Sequence, residues 1–432
     1  MNNVIRLVAI CLVLIAPSLN AQTPSQQKSP LLKEAKPASV GMSSSRLERM
    51  ESMLQQAIAD QQIPGVVALI ARNGKIVFWR AYGYADAAKQ RPLQRDSIFR
   101  IASQTKAITS TAVMMLWEEG LFQLDDPISK YLPEFKNPQI LDTYNEDDGS
   151  YTTKPASREI TLRDLLTHTS GIGYSIIGEN QNMMKIYQNA KVIDAFTDKP
   201  VTQADNMKVL AALPLHHNPG ERFTYGMGID VMGHFVEVIS GKTLQDFMKE
   251  RIFKPLDMKD TDFYQPKEKA DRLVEIQTYK DDHWETLTSD RYDVDYPLNG
   301  STFFSGGGGL SSTANDYAKF LQMYLYGGEY NGKRLLSRTT IDTIMANQIG
   351  DIWGPKSEGH HGLAFKVANQ NSVAKGGIGS AGTFEWGGYF NTQYYADPQE
   401  NIIGILLKQT LPADNDETSW KYRILAGQAI DD

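Results

Sequence analysis

"FRIASQTKAITSTAVMMLWEEG", residues 99–120, opens with Ser103 and Lys106 three positions apart and then keeps apolar residues at helical spacing up to Gly120, a common helix stop. Ser-x-x-Lys is weak evidence alone, because the spacing recurs at Ser25–Lys28 and Ser372–Lys375. What singles out Ser103 is the amphipathic helix that follows it. A serine hydroxyl is a poor nucleophile unless a base lies within hydrogen-bonding reach. Residues i and i+3 of a helix share one face, so Lys106 is spaced to supply that base. At a helix start the dipole and the free N–H groups disfavour a charged ammonium, as does burial against the apolar face. A neutral lysine there can take the serine proton. The backbone N–H of Ser103 is also placed to help bind an oxyanion.

Working outward, "GVVALIARNGKIVFWRAYGYAD" (65–86) reads as two strands joined at Asn73-Gly74, a strong hairpin signal. Before it, "SRLE" (45–48) predicts a helix capped by Ser45 and Glu48, with Leu47, Met50, Leu54, Ala57 and Ile58 on its apolar face. After residue 120, "ITLRDLLTHTSG" (160–171), "YGMGIDVMGHFVEVISG" (225–241) and "STANDYAKFLQMYLYGG" (312–328) each show a polar opening, a helical stripe and a closing glycine. The last third returns to strands in "HGLAFKVA" (361–368), "GTFEWGGYFNTQYYAD" (382–397) and "NIIGILLKQ" (401–409), and "TSWKYRILAGQAI" (418–430) closes as a helix. No internal repeat is visible. Strands at both ends with helices between them predict an α+β protein of the α/β sandwich type. Its antiparallel sheet is built from N- and C-terminal strands and flanked by helices, beside an all-helical lobe, with a cleft between the lobes.

The 432 residues are 41% hydrophobic and 22% charged, with a formal net charge of −7, which argues against a nucleic-acid partner. Residues 1–21 have the layout of a signal peptide: one positive charge, the apolar run "LVAICLVLIA" and a plausible cleavage point after Ala21. An N-terminal membrane anchor is the alternative reading. Cleavage would make the protein secreted, to a periplasm or outside the cell, and would leave no membrane span. It would also remove Cys11, the single cysteine, and with it thiol and disulfide chemistry. Residues 22–40 are rich in Pro, Ser, Gln and Lys and are expected to form a flexible leader, with one domain over 41–432.

Several stretches, in order, are similar to the serine β-lactamase and penicillin-binding-protein superfamily: residues 99–135, 160–172, "NPGERFTYGMGIDVMG" (218–233), "IFKPLDMKDTDF" (252–263), 306–325 and "GTFEWGGYFNTQYYADP" (382–398). From about residue 40 to 410 the chain resembles the branch holding class C β-lactamases, D-aminopeptidase-type enzymes and family VIII carboxylesterases. The resemblance implies Ser103 as nucleophile, Lys106 as its activating lysine and Tyr225 as a proton shuttle, a role open to a phenol held near positive charge. It also implies Trp386-Gly387-Gly388 as the third motif, on a strand edging the cleft, with the N–H of Tyr389 as second oxyanion donor.

Two departures bear on substrate. Met227 stands where β-lactamases carry an asparagine, and Trp386 where they carry a lysine that meets the substrate carboxylate. A site without both polar groups suits neutral apolar acyl groups over acidic β-lactams. Lys375, in "AKGG", precedes the strand and is not expected to replace that lysine. His168 is expected to hold a turn, and the Gly306–Gly309 run to permit close backbone approach near the cleft. No histidine pair has metal-ligand spacing joined to acidic partners, so neither a metal nor another cofactor is expected. The expectation is a serine hydrolase that forms an acyl-enzyme on Ser103, most simply a carboxylesterase on small neutral esters. The alternatives are a β-lactamase or D-alanyl peptide hydrolase acting on a small-molecule amide, and a non-catalytic binding protein on the same fold.

Overall fold

The fold was analysed in a computed structural model, which describes residues 28–376, 379–413 and 416–432. Its centre is a nine-stranded sheet. In chain order the strands are β1 (Lys33–Glu34), β2 (Gly65–Arg72), β3 (Lys75–Asp86), β4 (Arg91–Pro92), β5 (Gly359–His361), β6 (Lys366–Ala368), β7 (Phe384–Gly388), β8 (Thr392–Asp397) and β9 (Ile402–Leu407). The spatial order is β1-β3-β2-β9-β8-β7-β6-β5, with β4 added on β3. The two ends of the chain therefore meet at β2 and β9, as the placement of the strand-like segments predicts. Every pairing is antiparallel except β1 with β3.

Strand β2 is buried along its whole length. Because side chains alternate across a sheet, Val67, Leu69 and Ala71 enter one core and Val66, Ala68 and Ile70 another. A strand covered on both faces reads as a continuous apolar run. Asn73 and Gly74 join it to β3 with φ of 51° and 71°, the left-handed pair that a tight two-residue hairpin needs. Behind the sheet lie α1 (Ser44–Ala59) and the C-terminal helix Thr418–Gln428. The buried hydroxyl of Tyr422 donates to the Leu69 carbonyl (2.7 Å) and accepts from the Ile405 N–H (3.1 Å), pinning that helix where the two chain ends join.

In front of the sheet, α2 (Thr105–Glu118) buries every residue from Thr105 to Leu116. It is the central post between sheet and helical lobe. Removing one of its large apolar side chains would forfeit about 1.5–3 kcal/mol of burial. It packs on α3 (Gly228–Ser240), and α4 (Ala314–Leu325) covers the sheet beside it.

Two expectations near the N-terminus are corrected. Of the leader expected over 22–40, residues 28–40 are described and are docked. Strand β1 pairs with Lys75–Ile76, Leu32 donates its N–H to the Tyr330 hydroxyl (3.3 Å), and Arg72 donates to the Val40 carbonyl (2.8 Å). These contacts use main-chain groups and partners distant in sequence, which composition does not reveal. The cap of α1 is Ser43, whose hydroxyl accepts from the Arg46 N–H (3.4 Å), and not Ser45. The Ser43 N–H is already held by the Ala429 carbonyl (2.8 Å), so tertiary docking sets where this helix begins. The signal-peptide reading concerns residues 1–21, outside the described residues.

Candidate active site

The segment Phe99–Arg100 enters paired with Ser311–Ser312. The chain then bends at Ala102, whose φ of 43° is costly for a residue with a Cβ. One 3-10 turn, Ala102–Gln104, leads into α2. This bend leaves Ser103 partly exposed and buries Lys106 one turn later, at 4% exposure. Lys106 Nζ lies 3.2 Å from Ser103 Oγ and donates to the Gly307 carbonyl at 2.6 Å. It also sits 4.8 Å from the centre of the Tyr225 ring and 5.4 Å from that of Tyr174.

Tyr225 comes from the turn before α3. Its hydroxyl accepts from the Trp386 indole N–H at 3.4 Å, which joins β7 to the helical lobe. The rings of Tyr225 and Trp386 lie 5.7 Å apart. His168 packs 4.7 Å from Tyr225, with φ of 57°, and its carbonyl takes the Thr224 N–H (2.7 Å), so it does hold the turn. Burial, with the nearby His361 and Lys106, pushes the His168 imidazole well below its ordinary range, which makes it a neutral wall.

Gly387 and Gly388 carry β7 past the start of α2. A Cβ on Gly388 would lie 2.5 Å from the Ile101 carbonyl, so this strand end touches the segment before Ser103. Tyr389 follows at once, and its ring joins Phe390, Ala102 and Phe196 in one small cluster. Among the described residues, neither the Ser103 N–H nor the Tyr389 N–H donates to a protein acceptor. These are the two N–H groups that the family resemblance implies as oxyanion donors. Of the expected site residues, Ser103, Lys106, Tyr225 and Trp386 touch in series, Gly388 and Tyr389 lie against Ile101 and Ala102 just before Ser103, and Gly387 precedes them on β7.

Other positions fall elsewhere. Met227 is fully buried in the core and presents nothing to the cleft. Lys375 is exposed and ion-paired with Glu358 (2.9 Å). Lys28, of the first Ser-x-x-Lys repeat, lies at the start of the described residues, and Ser25 outside them.

Two residues at the site were not anticipated. Tyr174 is buried against Lys106, and burial pushes its phenol well above the ordinary range. Asp230, one turn into α3, is fully buried. It accepts from the Ser305 hydroxyl (2.6 Å) and the Gly307 N–H (3.0 Å), and so holds the residue whose carbonyl meets Lys106. Burial raises the Asp230 carboxyl above its ordinary range, opposed by the Lys106 charge and these hydrogen bonds. A Cβ on Gly307 would lie 2.1 Å from Asp230 Oδ2, which explains the glycine run. The legible signal for Asp230 was a lone acid inside an apolar helical stripe. Tyr174 offered none.

Beside Tyr174 and Tyr225 opens a cleft of about 580 Å³, lined by the apolar Ile177, Met184 and Phe223 and also by His216 and the charged Glu179 and Arg222. Asp194 braces the loop that follows Tyr174, residues 175–176. Its carboxylate accepts the Ser175 and Ile176 N–H groups and the Ser175 hydroxyl, while burial pushes its pKa up to about 6. Among the described residues, no group of three or more His, Cys, Asp or Glu side chains could hold a metal ion, and no helix is long and apolar enough to cross a membrane.

The family model described as Beta-lactamase matches residues 50–429, and the chain belongs to that family. It is 34% identical over 366 residues to Protein Rv1367c of Mycobacterium tuberculosis, covering 81% of this chain and 86% of that protein. It is 28% identical over 378 residues to Esterase EstB of Burkholderia gladioli, covering 84% and 90%. Among solved structures, it superposes on EstCE1, described as a hydrolase with promiscuous acyltransferase activity. That match has a TM-score of 0.76 and 25% identity over 88% of this chain and 98% of the other.

Proposed function

We propose that this member of the Beta-lactamase family is a carboxylesterase that transfers the acyl group of a small neutral ester to Ser103 and then to water. That the chain is a serine hydrolase, of carboxylesterase or β-lactamase-like type, follows from the family and its esterase relatives. The observation that carries the narrower reading is the pair Met227 and Trp386. The first is buried out of reach, and the second spends its N–H on Tyr225. No amide and no ammonium at these two positions meets an anionic substrate, so selectivity moves toward neutral esters.

In this reading Lys106 takes the proton of Ser103 as Oγ attacks the ester carbonyl. The N–H groups of Ser103 and Tyr389 receive the oxyanion. Tyr225, beside Lys106, relays the proton to the departing alkoxide as the C–O bond breaks. Water then attacks the acyl-enzyme, gives its proton back along the same path, and releases the acid. Gly307 and Asp230 hold Lys106 in position through both steps.

The test is hydrolysis of short p-nitrophenyl esters. The purified Ser103→Ala protein loses this activity, and parent-like activity in that variant would sink the reading. Nitrocefin measured alongside separates the alternatives, because a much higher kcat/KM on nitrocefin would make the protein a β-lactamase. The expected signal segment at 1–21 supports export, and a mature N-terminus at Gln22 in an exported fraction would bear that out.

A further inference from the structure

The residues that follow β9 bond to the segments beside both N–H groups proposed to receive the oxyanion. Gln409 is buried, and its amide pairs with Arg100 like a piece of backbone. Its Oε1 accepts the Arg100 N–H (2.7 Å) and its Nε2 donates to the Arg100 carbonyl (3.2 Å), three residues before Ser103. Thr410, next in sequence, holds the other donor's turn. Its N–H donates to the Phe390 carbonyl (3.2 Å), and its hydroxyl accepts from Asn391 Nδ2 (2.9 Å). Asn391 Nδ2 also donates to Asp416 (2.8 Å), which forms a buried ion pair with Lys408. Asn391 itself stands at φ 66°, immediately past Tyr389 and Phe390.

We propose that Gln409 and Asn391, fastened to one another through residues 408–410, are positioning residues that set the spacing between the Ser103 and Tyr389 N–H groups. An oxyanion hole works only when both donors stand about 2.7–3.1 Å from the place the oxygen will occupy. Ser103 lies at a helix start and Tyr389 beyond a strand end, and residues 408–410 bridge them alongside the approach of Gly388 and Thr392 to the Ile101 carbonyl. The proposal deepens the esterase reading, since it rests on those two N–H groups as the donors.

The experiment uses the full-length protein with Gln409→Met, Asn391→Ala, Asn391→Gly and Thr410→Val. For each, kcat and KM are measured on p-nitrophenyl acetate and on its thionoester, together with the rate at which a fluorophosphonate labels Ser103. Removing an oxyanion donor outright lowers kcat by about 10²–10³-fold, so displacing one should lower it by roughly 10-fold. Gln409→Met and Asn391→Ala are expected to show that loss on the oxygen ester with KM nearly unchanged. The thionoester, whose larger sulfur depends less on the two N–H groups, should lose less, and phosphonylation should slow in step with the oxygen ester. Asn391→Gly relieves the positive φ but lacks the amide, so it should behave like Asn391→Ala. Thr410→Val keeps the side-chain shape and gives a milder form of the same pattern if the others fail to fold.

Equal losses on both esters, parent-like kcat, or full recovery in Asn391→Gly would overturn the proposal. A parent that labels with fluorophosphonate but hydrolyses no ester would instead sink the esterase reading. The labelling rates would still report on the donors.

Discussion

Ser103–Lys106 and Ser372–Lys375 share one spacing, but the first pair opens the helix Thr105–Glu118 and the second closes the short helix Gln370–Ala374. In the second, the helix Gln370–Ala374 is a short surface turn. The Asn369 side chain accepts from the Asn371 and Ser372 N–H groups, and Lys375 reaches away to Glu358 with 61% of its side chain exposed. In the first, no side chain caps the helix start, the lysine is buried, and it is held between a serine hydroxyl, a backbone carbonyl and two aromatic rings. Chain spacing puts the two groups on one face. Burial and the surrounding donors and acceptors decide whether they can act on each other.

The largest effect expected from this contrast is on Lys106. Lys106→Met keeps the length of the stem and removes the base, and should lower kcat on p-nitrophenyl esters by roughly 10²–10⁴-fold. A loss below tenfold would mean that Lys106 is not the base.

The next concerns Asp194, which braces the loop carrying Tyr174 beside Lys106. Its folded pKa of about 6 lies above the usual value near 3.9, so the folded state binds the extra proton between these values. Stability therefore falls as pH rises through that window. Asp194→Asn should gain on the parent by up to about 3 kcal/mol between pH 4 and 7, read from urea midpoints across that range.

A methyl group at Gly307 would press on Asp230 and shift the carbonyl that holds Lys106. Gly307→Ala should cost about 1–3 kcal/mol of stability and lower kcat as well, measured by urea unfolding and ester hydrolysis. Retention of both would show that the loop yields freely. Smallest of all is Lys375→Met: its ion pair with Glu358 is exposed and screened by solvent, so urea midpoints and hydrolysis should both stay at the parent values. A kinetic defect there would erase the contrast.

Much of this site was legible because the local rules and the fold agree. The Asn73-Gly74 turn, the apolar run of β2 beside it and the apolar spacing after Lys106 each named the right element, although the helix after Lys106 is buried from Thr105 to Leu116 and not amphipathic as expected. The cap of α1 misled because Ser43 and Ser45 are both competent caps, and the choice was made by Ala429 at the other end of the chain. Asp230 was missed although it stands as a lone acid in an apolar helical stripe, and Tyr174 because nothing local marks a phenol as packed against a lysine.

The sequence by itself determined one sheet closed by both chain ends with helices around it, because periodicity and turn residues act over a few positions; the lobe expected to be all helical also carries the hairpin strands Gln139–Tyr144 and Tyr151–Pro155. It also nominated Ser103, Lys106, Tyr225 and Trp386. Only the tertiary structure decided which Ser-x-x-Lys pair is buried, where Met227 points, and that Gln409 and Asn391 stand behind the two N–H donors. Those outcomes depend on residues hundreds of positions apart coming within hydrogen-bonding distance, and no local pattern encodes that distance.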